Sequence, residues 1–250
     1  MTFVQAGARF AAGARIRSGP DSNIWRMKYR ADGTTVSSGV VSAWADTSGN
    51  NRNMTPVAGS TGAVYQASHW ALGNRPAVYF NHAGINGMED TTGGVAFDNP
   101  FTIYLVGYIS APISASYPHT FIGWGSVSTV MGFASGTEGL KLNGISNAYA
   151  IPGVNIYKPS IYCMIWDGVH TAGGQVWCYQ NSLTPVVTAM TTGINTPGTF
   201  WQMGTGYGTG TNYGLGGWIS ECNVRNSHDS DTEIAAEMTR LSTYYSIPLV

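Results

Sequence analysis

Hydrolysis of a glycosidic bond needs two carboxyl groups held on either side of it, one supplying a proton while the other activates water or attacks. Little in this sequence could form such a pair. Glu221 lies on a strand-like segment, Trp218–Arg225, and the residues two positions away on its face are Ile219 and Asn223. A bond to a neighbouring backbone or side chain is the expected role of this acid. Glu89-Asp90 is the only adjacent acidic pair, and it is expected in a Gly/Thr-rich loop. No catalytic residue is assigned, and the chain is expected not to be an enzyme. Metal chemistry has no better footing. His69, His82, His119, His170 and His228 are scattered without His-x-x-x-His spacing, and no Cys-x-x-Cys occurs; each histidine reads as a polar surface or turn residue. Asp46, Asn50 and Asn51 offer oxygens of the kind calcium takes from loops. The same run, Asp46-Thr47-Ser48-Gly49-Asn50-Asn51, is also what a tight turn uses. No metal or other cofactor is assigned, with loop-bound calcium left open.

Binding chemistry is better represented. The stretch from Gly204 to Gly214 holds Tyr207 and Tyr213, whose faces can stack on the C–H surfaces of sugars. Thr209, Thr211 and Asn212 can meet sugar hydroxyls. Tyr207, Thr209, Asn212 and Tyr213 are therefore candidate carbohydrate-binding residues, although a glycine-rich hairpin without a ligand would look alike. A second candidate is electrostatic. Residues 1–30 carry Arg9, Arg15, Arg17, Arg26, Lys28 and Arg30 against Asp21, a balance of +5, while residues 31–250 carry six basic and twelve acidic side chains, a balance of −6. These six cations with Phe10 make a candidate attachment arm for an acidic protein surface. Nucleic acid is not an expected partner, because a body at −6 offers it no basic face.

The elements that must position these residues follow from composition and period. Charged residues are 10% of the 250, against about 25% in an average domain, and there are 33 glycines. Hydrophobics at 43% suffice for a large core, which excludes a disordered chain. The apolar run at Ile103–Ile109 is too short to span a bilayer. Short apolar runs recur between turn formers at Val40–Trp44, Pro76–Phe80, Phe101–Ile109, Thr120–Trp124, Thr129–Ala134, Ile161–Trp166, Gln175–Gln180, Thr199–Met203 and Trp218–Arg225. Phe101–Ile109 is apolar on both faces, as a doubly covered central strand would be. One helix is signalled. Ser230 and Glu233 form a capping box, and Ile234, Met238, Leu241 and Tyr245 follow as one stripe before Pro248. The expected fold is an all-β sandwich with one short C-terminal helix. Its organisation is a basic arm over residues 1–35 and a sandwich over 36–250. The cysteines are Cys163, Cys178 and Cys222. A symmetric hairpin would set Cys163 opposite Cys178, where a disulfide is sterically conceivable. Reduced thiols are the expectation, because the N-terminus reads as no export signal.

Several of these segments have a familiar order. Val41-Ser42-Ala43-Trp44-Ala45-Asp46-Thr47-Ser48-Gly49-Asn50 comes first, then Asn74-Arg75-Pro76-Ala77-Val78-Tyr79-Phe80, then Trp166-Asp167-Gly168. The end matches best, with Gly217-Trp218-Ile219-Ser220-Glu221, the capped helix and Tyr244-Tyr245-Ser246-Ile247. Over residues 36–250 the chain resembles the laminin-G-like, concanavalin A-like jelly rolls, which implies a two-sheet antiparallel jelly-roll sandwich. Glucanases of that superfamily carry a triplet of the form Glu-x-Asp-x-x-Glu on one strand, which this sequence lacks. Such domains occur in bacteriophage structural proteins and in secreted bacterial carbohydrate-binding proteins. Together with the basic arm, the sparse charge and an N-terminus that reads as no export signal, the resemblance leads to the expectation of a non-catalytic virion protein, on capsid or tail, made in the host cytoplasm and attached to a capsid or tail protein by its arm. It would be repeated as a homo-oligomer and able to bind a host surface glycan. A free-standing lectin module is the alternative, and a glycosidase a more distant one.

Overall fold

The computed structural model describes residues 25–82, 86–90, 92, 100–110, 119–124, 128–133, 139–144, 147–152, 157–169, 173–189, 201–205 and 214–250. Their strands are β1 (Trp25–Arg30), β2 (Thr34–Ser37), β3 (Val40–Trp44), β4 (Thr55–Pro56), β5 (Val64–His69), β6 (Arg75–Phe80), β7 (Met88–Asp90), β8 (Phe101–Ile109) and β9 (His119–Trp124). There follow β10 (Ser128–Phe133), β11 (Gly139–Gly144), β12 (Asn147–Pro152), β13 (Ser160–Trp166), β14 (Gln175–Gln180), β15 (Val186–Ala189), β16 (Trp201–Met203), β17 (Gly217–Arg225) and the helix α1 (Asp231–Tyr245). One sheet of ten strands runs β15-β14-β13-β8-β17-β6-β5-β3-β2, with β1 also paired to β17. The other, of seven, runs β12-β11-β10-β9-β16-β7-β4. All pairings are antiparallel. The fold is the all-β two-sheet sandwich with a C-terminal helix that the sequence pattern predicts.

Alternation along the central strands fixes two cores. Phe101, Ile103 and Leu105 of β8, Tyr162, Met164 and Trp166 of β13, and Ile219, Cys222 and Val224 of β17 point between the sheets. There they meet Met88, Phe121, Ile122, Trp201 and Met203 of the smaller sheet. The intervening residues, Tyr104 and Val106 of β8 and Ile161, Cys163 and Ile165 of β13, point to the opposite, outer face. That face is covered by α1, whose stripe Ile234, Met238, Leu241 and Tyr245 packs on it. The capping box forms as the sequence implies: the Ser230 side chain accepts from the Glu233 N–H, and the Glu233 carboxylate accepts from the Ser230 N–H.

The first strand departs from expectation. Trp25–Arg30 lies within the sandwich, not in a separate arm, paired to β17 with Arg30 opposite Glu221 and Lys28 opposite Asn223. The cause is a period of two: Met27 and Tyr29 are fully buried between the sheets, and Arg26, Lys28 and Arg30 are the alternate positions. Thr34–Ser37 adds β2 at the edge. The sandwich therefore begins no later than Trp25, not at residue 36. The outer edge of β1 is held by the turn 46–53. Asp46 accepts from the Lys28 N–H at 2.9 Å, Thr47 N–H donates to the Lys28 carbonyl at 2.9 Å, and the Asn50 amide donates to the Trp25 carbonyl at 2.8 Å.

The expected opposition of Cys163 and Cys178 also fails. Cys163 stands opposite Tyr179, and Cys178 opposite Met164. This shift of one residue sends the two thiols to opposite faces of the sheet, Cys163 towards the helix and Cys178 into the inter-sheet core. No bridge can join them there. Burial pushes all three thiols up, Cys178 to about 12.

Two outcomes follow from this packing. Ala236 lies on the exposed side of α1, and Ala236→Pro should cost about 3 kcal/mol by removing a helical hydrogen bond and clashing with the preceding turn. Calorimetry should show a lower melting temperature for the whole sandwich; an unchanged one would mean that α1 contributes nothing to it. The native thiols should resist alkylation at neutral pH, and denaturation without reductant should release three reactive thiols. A single reactive thiol after denaturation would reveal a bridge.

Candidate functional site

Among the described residues, the acids that the sequence singles out are engaged within the fold. Glu221, 3% exposed, accepts from Arg240 Nη2 at 2.5 Å and Asn223 Nδ2 at 2.7 Å on one oxygen, and from the Tyr245 hydroxyl at 3.0 Å on the other. Both oxygens thus fasten β17 to α1, the structural role anticipated for this residue. Asp229, 2% exposed, accepts from the Tyr104 hydroxyl at 2.7 Å, Arg225 at 2.8 Å and the Ser227 hydroxyl at 2.9 Å. Desolvation raises its pKa despite these donors. Glu89 and Asp90 are neighbours in sequence but lie on opposite faces of β7, as alternation requires. Asp90 turns inward to Arg52 at 3.0 Å, whereas Glu89 accepts from Gln202 at 3.3 Å. These two carboxylates cannot work on one bond.

The calcium candidate resolves in the same way. The Asp46 carboxylate accepts from the N–H groups of Lys28, Ser48 and Arg52, at 2.9, 2.9 and 3.1 Å, and from the Ser48 hydroxyl at 2.7 Å. Asn50 engages through its amide nitrogen, not its oxygen. A carboxylate ringed by N–H donors is built to hold a chain, not a cation. Among the described residues, no group of three or more His, Cys, Asp and Glu side chains is placed to bind a metal. The histidines are not all surface residues as expected. His119 is fully buried, with Nδ1 2.5 Å from the Leu215 carbonyl, and His69 is 3% exposed.

Tyr207, Thr209, Asn212 and Tyr213 lie outside the described residues, and so do Arg9, Phe10, Arg15 and Arg17. The base of the Gly-rich loop is described, and it is firmly set. Thr205 and Gly214 form an antiparallel bridge, and Leu215 N–H donates to the Gly204 carbonyl at 2.9 Å. Gly204 has φ +74° and lies so close to Phe80 that a Cβ would fall 1.9 Å from its ring, so only glycine fits. The three described cations of the attachment segment all have contacts within the chain or half-buried positions. Arg30 pairs with Asp32 at 2.6 Å, Lys28 Nζ sits 4.8 Å from the Trp25 ring centre, and Arg26 is half-buried.

Cross-strand register assembles a site that no single segment announces. On the outer face, Val40 stands opposite Val64, Val64 opposite Tyr79, Tyr79 opposite Trp218, and Trp218 opposite Tyr108. The five residues form one apolar row across β3, β5, β6, β17 and β8. Val40 is 36% and Val64 46% exposed, while Tyr79, Trp218 and Tyr108 are half-buried. Gly107 permits the close approach of β8 to β17 at this point, since a Cβ there would meet the Trp218 carbonyl oxygen at 2.3 Å. Tyr79 and Trp218 lie 4.9 Å apart, centre to centre, at 45°. His69 lies against Trp218 at 4.4 Å and against Tyr108 at 5.6 Å, with Nε2 3.2 Å from the Tyr108 hydroxyl. Burial holds the His69 pKa down, which favours the neutral ring. Trp70 stacks on His69 at 6.2 Å and 18° and is 80% exposed. No member of the row is charged. The nearby Arg75 is turned aside, donating to the Tyr244 carbonyl at 3.0 Å with its guanidinium 4.2 Å from the Tyr244 ring centre.

No protein-family model matches the chain, and no curated protein matches it. Solved structures do. A Trypanosoma rangeli sialidase in complex with sialic acid matches with a TM-score of 0.58 at 15% identity, over 90% of this chain and 33% of that one. The binding domain of Paraclostridial Mosquitocidal Protein 1 matches with 0.55 at 11% identity, over 89% of this chain and 53% of that one. A GH54 α-L-arabinofuranosidase matches with 0.54 at 13% identity, over 82% of this chain and 51% of that one. The chain thus spans about a third to a half of each of these structures. At such identities the likeness is one of fold: a β-sandwich of jelly-roll type, consistent with the concanavalin A-like architecture that the sequence resembles.

Proposed function

We propose that the chain is a non-catalytic, lectin-like sandwich that binds carbohydrate on its outer face. The observation that carries this reading is the aromatic row with Trp70 beside it. Sugars present flat C–H surfaces that stack on aromatic rings. A tryptophan 80% exposed next to a half-buried aromatic row is unusual as mere packing, because large apolar patches on a protein surface mark places of contact. The similar folds of a sialidase holding sialic acid and of an α-L-arabinofuranosidase support the same direction. The fastening of Glu221, Asp229 and Asp90 within the fold favours binding over catalysis.

A finer reading adds a location. The basic segment before β1 and the family resemblance favour an accessory protein of a phage particle, carried on capsid or tail as a homo-oligomer. It would be made in the host cytoplasm. Mass spectrometry of purified particles tests this directly, with the chain expected among the virion proteins; its absence from them would sink the location without touching the binding reading.

For carbohydrate binding, the full chain should bind at least one neutral glycan on an array, and Trp218→Ala should weaken that signal. An array without hits would falsify the proposal.

A further inference from the structure

The row has a length, a tilt and a charge, and together they describe a ligand. Neighbouring strands lie about 4.8 Å apart, so four steps from Val40 to Tyr108 span about 19 Å. That is far longer than one sugar ring. Rings that a single rigid plane could touch together must be coplanar, yet Tyr79 and Trp218 meet at 45°, and His69 and Trp218 at 55°. Each ring therefore faces a different direction along the row. Sites for a terminal sugar are concave and bring several polar groups to one point. Here the Tyr108 hydroxyl is engaged with His69, Arg75 is engaged with Tyr244, and the row itself is apolar.

We infer that the ligand is an internal stretch of one uncharged polysaccharide chain, running across the strands from Val40 and Val64 over Tyr79 and Trp218 to Tyr108, with Trp70 beside it. This rests on the carbohydrate-binding reading above. A chain of equatorially linked pyranoses suits the row, because such linkages keep it extended and leave a C–H face on every ring. It can also twist from ring to ring, as the tilted aromatics require and a crystalline surface cannot. Each stacked ring contributes modestly, and affinity accumulates along the chain. The neutrality of the row matches an uncharged polymer: an acidic sugar would lose its hydration here and gain no cation.

Calorimetry of the full chain with cello-, xylo- and N-acetyl-chito-oligosaccharides, from mono- to hexasaccharide, tests the inference. Affinity in at least one series should climb with length by more than about tenfold, equivalent to about 1.4 kcal/mol, and then level off. Trp70→Ala, at a position 80% exposed, should cost about tenfold for the hexasaccharide at an unchanged melting temperature. That change in hexasaccharide affinity separates a binding residue from a merely structural one. Equal affinity for mono- and hexasaccharide, or capture by crystalline cellulose without binding of soluble chains, would overturn the inference. So would failure of all three series while a charged or branched glycan binds on the array. Those three results leave the carbohydrate-binding reading standing, whereas silence on the array and in calorimetry removes both.

Discussion

β8 carries large apolar side chains on both of its faces, so the ten-stranded sheet can leave neither face in water. The smaller sheet covers the inner face. The outer face needs a separate cover, and α1 supplies it over Tyr104, Val106, Ile161 and Ile165. Each large side chain so buried is worth about 1.5–3 kcal/mol. β17 shares that covered region and brings an acid into it. Glu221 is stable there because Arg240, Asn223 and Tyr245 surround both oxygens. Buried ionic contacts of this kind cost desolvation and contribute little net stability. Their geometry, however, holds the helix at one position along the strands. At the margin of that cover, Tyr108 and Trp218 pack against the same cluster while remaining half-buried.

Much of the fold was legible in sequence because its signals are local. The segments Val40–Trp44, Phe101–Ile109 and Gln175–Gln180 are strands with the boundaries their composition implies. The helix cap, stripe and end are equally faithful, since a capping box and a 3.6-residue period involve only near neighbours. β1 was missed although its alternation is clean. Its three cations made Trp25–Arg30 look like part of a charged arm, when they are the alternate positions of a half-buried strand. The Cys163–Cys178 error has another source. Strand ends were read correctly to within a residue, but a pairing offset of one residue reverses which faces meet, and nothing local to the hairpin displays that offset.

The candidate site was legible only in fragments. Val40, Val64, Tyr79, Tyr108 and Trp218 are widely separated in sequence, and register alone makes them a row. Nothing local to Trp70 sets it apart from Trp44, Trp166 and Trp201, which are fully buried in the core. The turn 46–53 shows the converse. Its oxygens looked suited to calcium, but β1 had an open edge with N–H and C=O groups to satisfy, and the turn spends its polar atoms there.

The connectivity of β17 has a consequence for how the molecule is made. It is the last strand in the chain, yet it sits at the middle of the larger sheet, with β8 along one edge and β6 and β1 along the other. Trp25 finds its partner Arg225 across 200 positions of sequence. A ribosome delivers β1, β6 and β8 long before the strand that joins them, so each leaves the tunnel with an unpaired edge. Assembly of the larger sheet waits for the C-terminus, and pairings over such separations form slowly. During that interval the nascent chain is most exposed to aggregation, and the protein's yield in a cell depends on how well that interval is protected.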